Sequence, residues 1–241
     1  MNARTPMLLL AATLALAACK PAVDPKAVAA AQAAADEKAA GEMAKSFDEA
    51  VALGKWDVAR AHGDVLTAKY PNSQAAARIK PQYEETKVKA VEALETRRLA
   101  ALWSYQTQAV LKGGEQRSAA LYAKDHIDTD GSGAKEVRLI FRDHPQWGRS
   151  SYLVLQAGDF NCYSGCKVQV KIDDAAPKPM AASRPKTDEA IAMFIEDERA
   201  LWRSVRNAKT IAIEFPVKAG GTRTAVFEVG GVDASQLPGW K

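Results

Sequence analysis

Apolar residues recur at helical spacing through the first half of this chain and alternate with polar ones through the second. From Glu42 to about Lys112 the spacing predicts helices. Phe47, Val51 and Leu53 lie in a first one stopped by Gly54, and Trp56, Val58, Ala59 and Leu66 in a second from Lys55 to Tyr70, with Pro71 just past its end. Asn72 or Ser73 can cap a third, which pauses at Pro81 and runs to Lys112 before Gly113-Gly114. Along it Tyr83, Val88, Val91, Leu94, Leu99, Leu102, Tyr105 and Ala109 share one half of a helical wheel. Residues 19–41 are Ala-rich, with Pro21 and Pro25 and almost no large apolar group. Alanine favours helix, but this run has no face to bury and is expected to be a partly helical tether.

After Gly114 the period becomes two. Val137, Leu139 and Phe141 fall on one face of a strand whose other face carries Arg138 and Arg142. Tyr152–Ala157, Cys166–Ile172, Thr210–Val217 and Thr222–Val229 are further strands, and Lys218-Ala219-Gly220-Gly221 is a hairpin turn. Thr187 caps an expected helix over 188–207, with Asp188 and Glu189 in its first turn and Ile191, Phe194, Ile195, Leu201, Trp202 and Val205 on its apolar face. Short connections make neighbouring strands antiparallel. The expected fold is α+β: an N-terminal helical hairpin and long helix, residues 42–112, then an antiparallel sheet with one packed helix, residues 115–241. Alternation also predicts an irregularity. If Leu153 and Leu155 face the core, Phe160 and Cys162 fall on the opposite face unless one extra residue intervenes, so a β-bulge is expected near Ala157-Gly158-Asp159.

The first eighteen residues have a different character. Arg4 provides one positive charge, and Met7 to Ala17 is an apolar run of about ten residues, broken only by Thr13. That is too short for a helix to span roughly 30 Å of hydrocarbon, and the layout is that of an export signal. Its end, Leu16-Ala17-Ala18-Cys19, resembles the lipobox of bacterial lipoproteins. The resemblance implies cleavage before Cys19, a thioether-linked diacylglycerol on its sulfur and an N-acyl chain on its amine. Two or more chains make a stable membrane anchor. In enteric lipoproteins an Asp after the cysteine retains the protein in the inner membrane. Lys20 stands there, so the resemblance points to the outer membrane, with the folded part in the periplasm.

Removing residues 1–18 takes away one base and no acid, leaving 32 Lys and Arg against 29 Asp and Glu. So mild an excess, without a basic cluster, argues against a nucleic-acid surface. Once Cys19 is assigned to lipid, Cys162 and Cys166 remain. A metal pair would need two further ligands, and no His or Cys lies near. A thioredoxin-type redox pair has two intervening residues and a helix. Here three residues including Gly165 precede a strand, and a three-residue hairpin loop brings its flanks to bridging distance. A structural disulfide is expected.

Other signals are weaker. Asp128, Asp130 and Ser132 with Gly133 open like a calcium loop, but the twelfth position is Leu139 where a bidentate Glu is needed. Asp and Gly also make turns, and a hairpin between Leu121–Ile127 and Glu136–Arg142 is the expectation. His126, Asp143 and His144 are the residues from which an enzyme site would have to be assembled, His126 and His144 meeting across that hairpin. The loop Asp143-His144-Pro145-Gln146-Trp147-Gly148-Arg149 has the composition of a contact hot spot; such a Trp more often folds back over the end of the core, which is the expectation, and partner binding through His144, Trp147 and Arg149 is the alternative.

Two further resemblances attach to these residues. Gly54-Lys55-Trp56, Ala59 and Lys69-Tyr70-Pro71-Asn72-Ser73 resemble a single tetratricopeptide-type helix pair. Phe141-Arg142-x-His144 with Trp147-Gly148, Phe160-x-Cys162 with Gly165-Cys166, and Met193-Phe194-Ile195 resemble a domain of unknown function in Gram-negative envelope proteins. The combined expectation is an envelope lipoprotein serving as a non-enzymatic interaction or scaffold module with an envelope protein partner. The alternatives are an enzyme or a weak calcium-binding module. Cys19→Ala should leave the protein unprocessed and free of palmitate label; undiminished labelling would refute the lipid anchor.

Overall fold

The computed structural model describes residues 24–111, 113–185 and 191–240; Cys19, Thr187, Asp188 and Glu189 lie outside them. The described residues divide into two compact units, one ending at Thr86 and the other beginning at Lys87.

In the first unit α1 runs Pro25–Ala52, α2 Trp56–Lys69, and α3 (Gln74–Ala101) begins. Asp24 caps α1 by accepting the Lys26 N–H, and Pro25 sits at a helix start where no donor is lost. The Ala-rich stretch is therefore not a separate tether ending at residue 41: from Pro25 onward it belongs to α1. Small side chains are what let it pack, since Ala40 and Ala44 are sealed with Phe47 against Ala59, Leu66, Ala76 and Ile79. Gly63 admits the Tyr83 ring, which occupies the place a Cβ would take, so alanine there would collide with it. Glu37 of α1 accepts the N–H groups of Gln74 and Ala75, and Ser73 Oγ that of Ala76, capping α3.

α3 passes Pro81 without stopping but ends at Ala101, not Lys112. Val88, Val91 and Leu94 of its expected apolar face are exposed. Beyond it Ser104–Ala109 is strand β1, and Gly113 and Gly114, both at positive φ, turn the chain into β2 (Glu115–Tyr122) rather than closing a helix. Further strands are β3 (Val137–His144), β4 (Gly148–Leu155), β5 (Cys166–Ile172), β6 (Lys178–Ser183), β7 (Ala192–Ile195), β8 (Ile211–Pro216) and β9 (Thr222–Phe227). They form one antiparallel sheet in the order β1-β2-β3-β4-β7-β6-β5-β8-β9, which makes the fold α+β.

The sheet curls until the chain just past β2 bonds β9, Lys124 N–H donating to Val226 O at 2.7 Å. Inside the curl Leu121, Leu139, Phe141, Leu153, Val168, Met193, Ile213, Phe215 and Phe227 form a single core. Helix α4 (Glu198–Asn207), capped by Asp197, adds Leu201, Trp202 and Val205 to it. The expected 188–207 helix is thus shortened. Five consecutive apolar residues, Ile191 to Ile195, suit a helix face or a strand buried on both sides; between β4 and β6 the last four of them are the strand β7. The carboxyl end of α3 lies close to Gly230-Gly231, where a Cβ on Gly231 would stand 2.6 Å from Ala100 N. Arg98 ties the two segments by bonding Glu95 and Glu228, each at 2.7 Å.

The parity switch after Leu155 is present, but no bulge makes it. β4 stops at Leu155, Gly158 turns at φ +73°, and Phe160 reappears beside Val217 at the end of β8. The core positions change from 153 and 155 to 160 and 162 because the chain changes neighbours. Cys162 and Cys166 are joined, with Cα atoms 5.2 Å apart across a turn in which Gly165 has φ +85°. Asp159 holds this loop. It accepts from Arg184 Nε at 2.9 Å, from the Tyr163 hydroxyl and from the Phe160 N–H. Burial pushes its carboxyl up, yet the bonds from Tyr163 and Arg184 outweigh burial and leave it below the usual aspartate range. A depressed folded-state value stabilises the fold above the unfolded value of about 3.9 and loses that contribution as pH falls. Arg184 is buried, so Asp159→Asn should destabilise the protein by about 3 kcal/mol near neutral pH. In urea titrations the gap from wild type should shrink below about pH 4; a gap independent of pH would contradict this role.

Candidate functional site

β3 and β4 meet in a short hairpin: His144 pairs with Gly148, whose φ of +71° supplies the left-handed residue such a loop needs. His144 is buried, and its Nδ1 accepts the N–H groups of Gln146 (3.1 Å) and Trp147 (3.2 Å). An accepting Nδ1 places the proton of the neutral ring on Nε2. The imidazole also stacks on Trp147, centroids 3.9 Å apart and planes within 11°. Trp147 is nonetheless 69% exposed. It does not fold over the end of the core; it is held outward by the histidine beneath it.

Arg142 lies on the same outer face. Its guanidinium carbon stands 5.4 Å from the Trp147 ring and 5.4 Å from the Tyr152 ring. Arg138, four residues back, lies 5.3 Å over Tyr122 and donates to Ser104 Oγ at 3.0 Å. Tyr152 in turn packs on Phe194 of β7, centroids 5.1 Å apart. Burial pushes the Tyr152 phenol up against the opposing pull of the Arg142 and Arg138 charges. Arg142 Nε and, directly opposite in register, Ser150 Oγ are buried with no hydrogen-bond partner among the described residues. Neither arginine makes an ion pair among the described residues, and register places no carboxylate at the outer positions of β1, β2, β3, β4 or β7.

Arg149 does not belong to this face. Its register partner is Asp143, on the inward parity of β3 and β4, and it donates to the Gly239 carbonyl of the C-terminal turn. Asp143 fills the space where a Gly239 side chain would lie. The candidate trio His144, Trp147, Arg149 therefore splits: the first two share a surface, the third fixes the C-terminal turn. Arg142 takes the place of Arg149. Its signal was present in the alternation of β3, but an arginine on a polar face reads as solvated unless aromatic neighbours are known.

The enzyme candidates are not brought together. His126 is exposed beyond the Tyr122 end of β2, near the start of β3, whereas His144 closes the other end. The length of β3 separates those ends by about 23 Å. Asp143 and His144 point to opposite faces of the sheet. In the connection after β2, Ile127 bridges Lys135. Asp128 Oδ1 accepts from the N–H groups of Asp130 and Gly131, and Asp130 Oδ1 from that of Ser132. Thr129 Oγ1 donates to Ala157 O and Arg223 Nε to Asp128 O, each at 2.6 Å. The two carboxylates thus serve as turn acceptors. Bonds from the Ser132 side chain and N–H hold the Asp130 carboxyl below its usual range. Among the described residues no group of three or more His, Cys, Asp or Glu is placed to hold a metal ion.

No protein-family model, curated protein or solved structure matches the chain.

Proposed function

We propose that the chain is a lipid-anchored envelope protein whose sheet unit is a non-enzymatic interaction module facing the periplasm. The anchor is the acylated Cys19 of the lipobox-like segment, and Lys20 favours the outer membrane over the inner. Among the described residues no helix is long and apolar enough to cross a membrane. The reading is carried by Trp147: a large aromatic 69% exposed yet fixed, stacked on a buried His144 and beside Arg142. A loosely tethered side chain loses rotamer freedom on binding at a cost of about 0.5–1.5 kcal/mol, and one already held avoids much of that. Trp and Arg also dominate contact hot spots. The partner is an envelope protein, bound by side chains of the outer face rather than by strand addition, since β3 and β4 each already pair on both sides.

Affinity capture from envelopes of the source cell tests this. Wild type should retain a partner that Trp147→Ala loses, at unchanged melting temperature because the ring lies outside the core. Identical captures by the two proteins would refute the reading.

A further inference from the structure

Arg138 and Arg142 share the outer face of β3 with Ile140 between them. Four residues of strand separate the two charges by about 13 Å. Each guanidinium lies beside an aromatic ring: Tyr122 for Arg138, and Trp147 and Tyr152 for Arg142. Such packing orients the planar group and removes part of its hydration, which is how arginine is prepared for a planar oxyanion. Arg142 Nε is sealed without a partner. Its Nη nitrogens are neither sealed nor bonded to described residues, so they are the edge available to an incoming group.

We propose that this face binds an extended acidic peptide segment of the partner, with carboxylates on its first and fifth residues and an apolar side chain on the third. The proposal rests on the interaction-module reading and names the chemistry of that module's partner. An extended chain repeats its same-face side chains every two residues, so its first, third and fifth match Arg138, Ile140 and Arg142 in spacing. A carboxylate against the Nη edge of Arg142 makes the paired, charge-assisted contact that guanidinium geometry favours. The apolar third residue falls beside Ile140, opposite Tyr152 in register. No carboxylate of the chain occupies the outer positions of β1 to β4 and β7 themselves, although Glu136 and Glu196 continue that parity just beyond the ends of β3 and β7, so within the strands the two positive charges have no carboxylate beside them. The fixed spacing of charge, apolar group and charge along one strand selects a peptide over a phosphate-bearing bilayer, which offers no such sequence.

The test is fluorescence anisotropy with the full chain and a labelled peptide Ser-Glu-Thr-Leu-Thr-Glu-Ser, against its counterpart with both Glu replaced by Gln. Saturable binding is expected, with the Gln peptide and the Arg142→Gln protein each weaker by about tenfold or more, the scale of one charged hydrogen-bonded contact. Added salt should weaken the Glu peptide more than the Gln peptide. The Gln peptide needs no altered protein, so the comparison stands even if Arg142→Gln folds poorly. Equal affinity for the two peptides, no saturable binding, or Arg142-dependent binding to phosphatidylglycerol vesicles or heparin in place of the peptide would each overturn the proposal. Such a failure, with capture through Trp147 intact, removes the acidic peptide and leaves the interaction module standing. Loss of that capture would strike the module itself.

Discussion

Burial of Phe141 fixes which way β3 faces, and nearly everything else in the sheet unit follows. Its ring packs 4.9 Å from Trp202, 5.5 Å from Trp240 and 6.3 Å from Trp103. Val137 and Leu139 are sealed on the same side. Burying each such side chain contributes roughly 1.5–3 kcal/mol, and slipping the register by one residue would forfeit all three at once. That penalty places Arg138, Ile140, Arg142 and His144 outward. The polar face is thus a consequence of the core, and its positive character comes from which residues occupy the outward positions.

The hairpin that follows turns this parity into a surface. His144 is the last outward residue of β3, and both backbone donors reaching its Nδ1 come from the loop itself. Its ring is the floor on which Trp147 lies. Histidine here is a flat, hydrogen-bonded spacer between strand and indole. Across the sheet, Asp143 and Arg149 face inward and secure the C-terminal turn that carries Trp240. One hairpin therefore serves the core on one side and solvent on the other.

Much of the fold was legible because it rests on simple periods. The alternation in β3 and β8, the punctuation at Gly54 and Pro71, and the loop spacing of Cys162 and Cys166 each express one local physical demand. Failures fell where two structures satisfy the same local pattern. Ile191 to Ile195 suits a helix face or a doubly covered strand, and only its neighbours β4 and β6 decide. The apolar residues of Ser104–Ala109 also fit the helical wheel of α3, whereas pairing with β2 governs them. The Ala-rich run that ends near residue 41 offers no large apolar face, yet the small size of Ala40, and of Ala44 beyond it, is what brings the helices close. At the site, Trp147 and His144 could be singled out by composition. Arg142 could not, because its importance comes from rings on β4 and in the loop that only folding brings beside it.

The division between a sealed aromatic core and an outward indole is open to one direct measurement, hydroxyl-radical footprinting of the folded full chain read by mass at each tryptophan. Trp147 is 69% exposed, while Trp103, Trp202 and Trp240 are 6%, 1% and 3% exposed. The expected result is rapid oxidation of Trp147 with those three protected until the protein unfolds. Protection of Trp147 equal to that of Trp202 would contradict the outward face on which the proposed function depends.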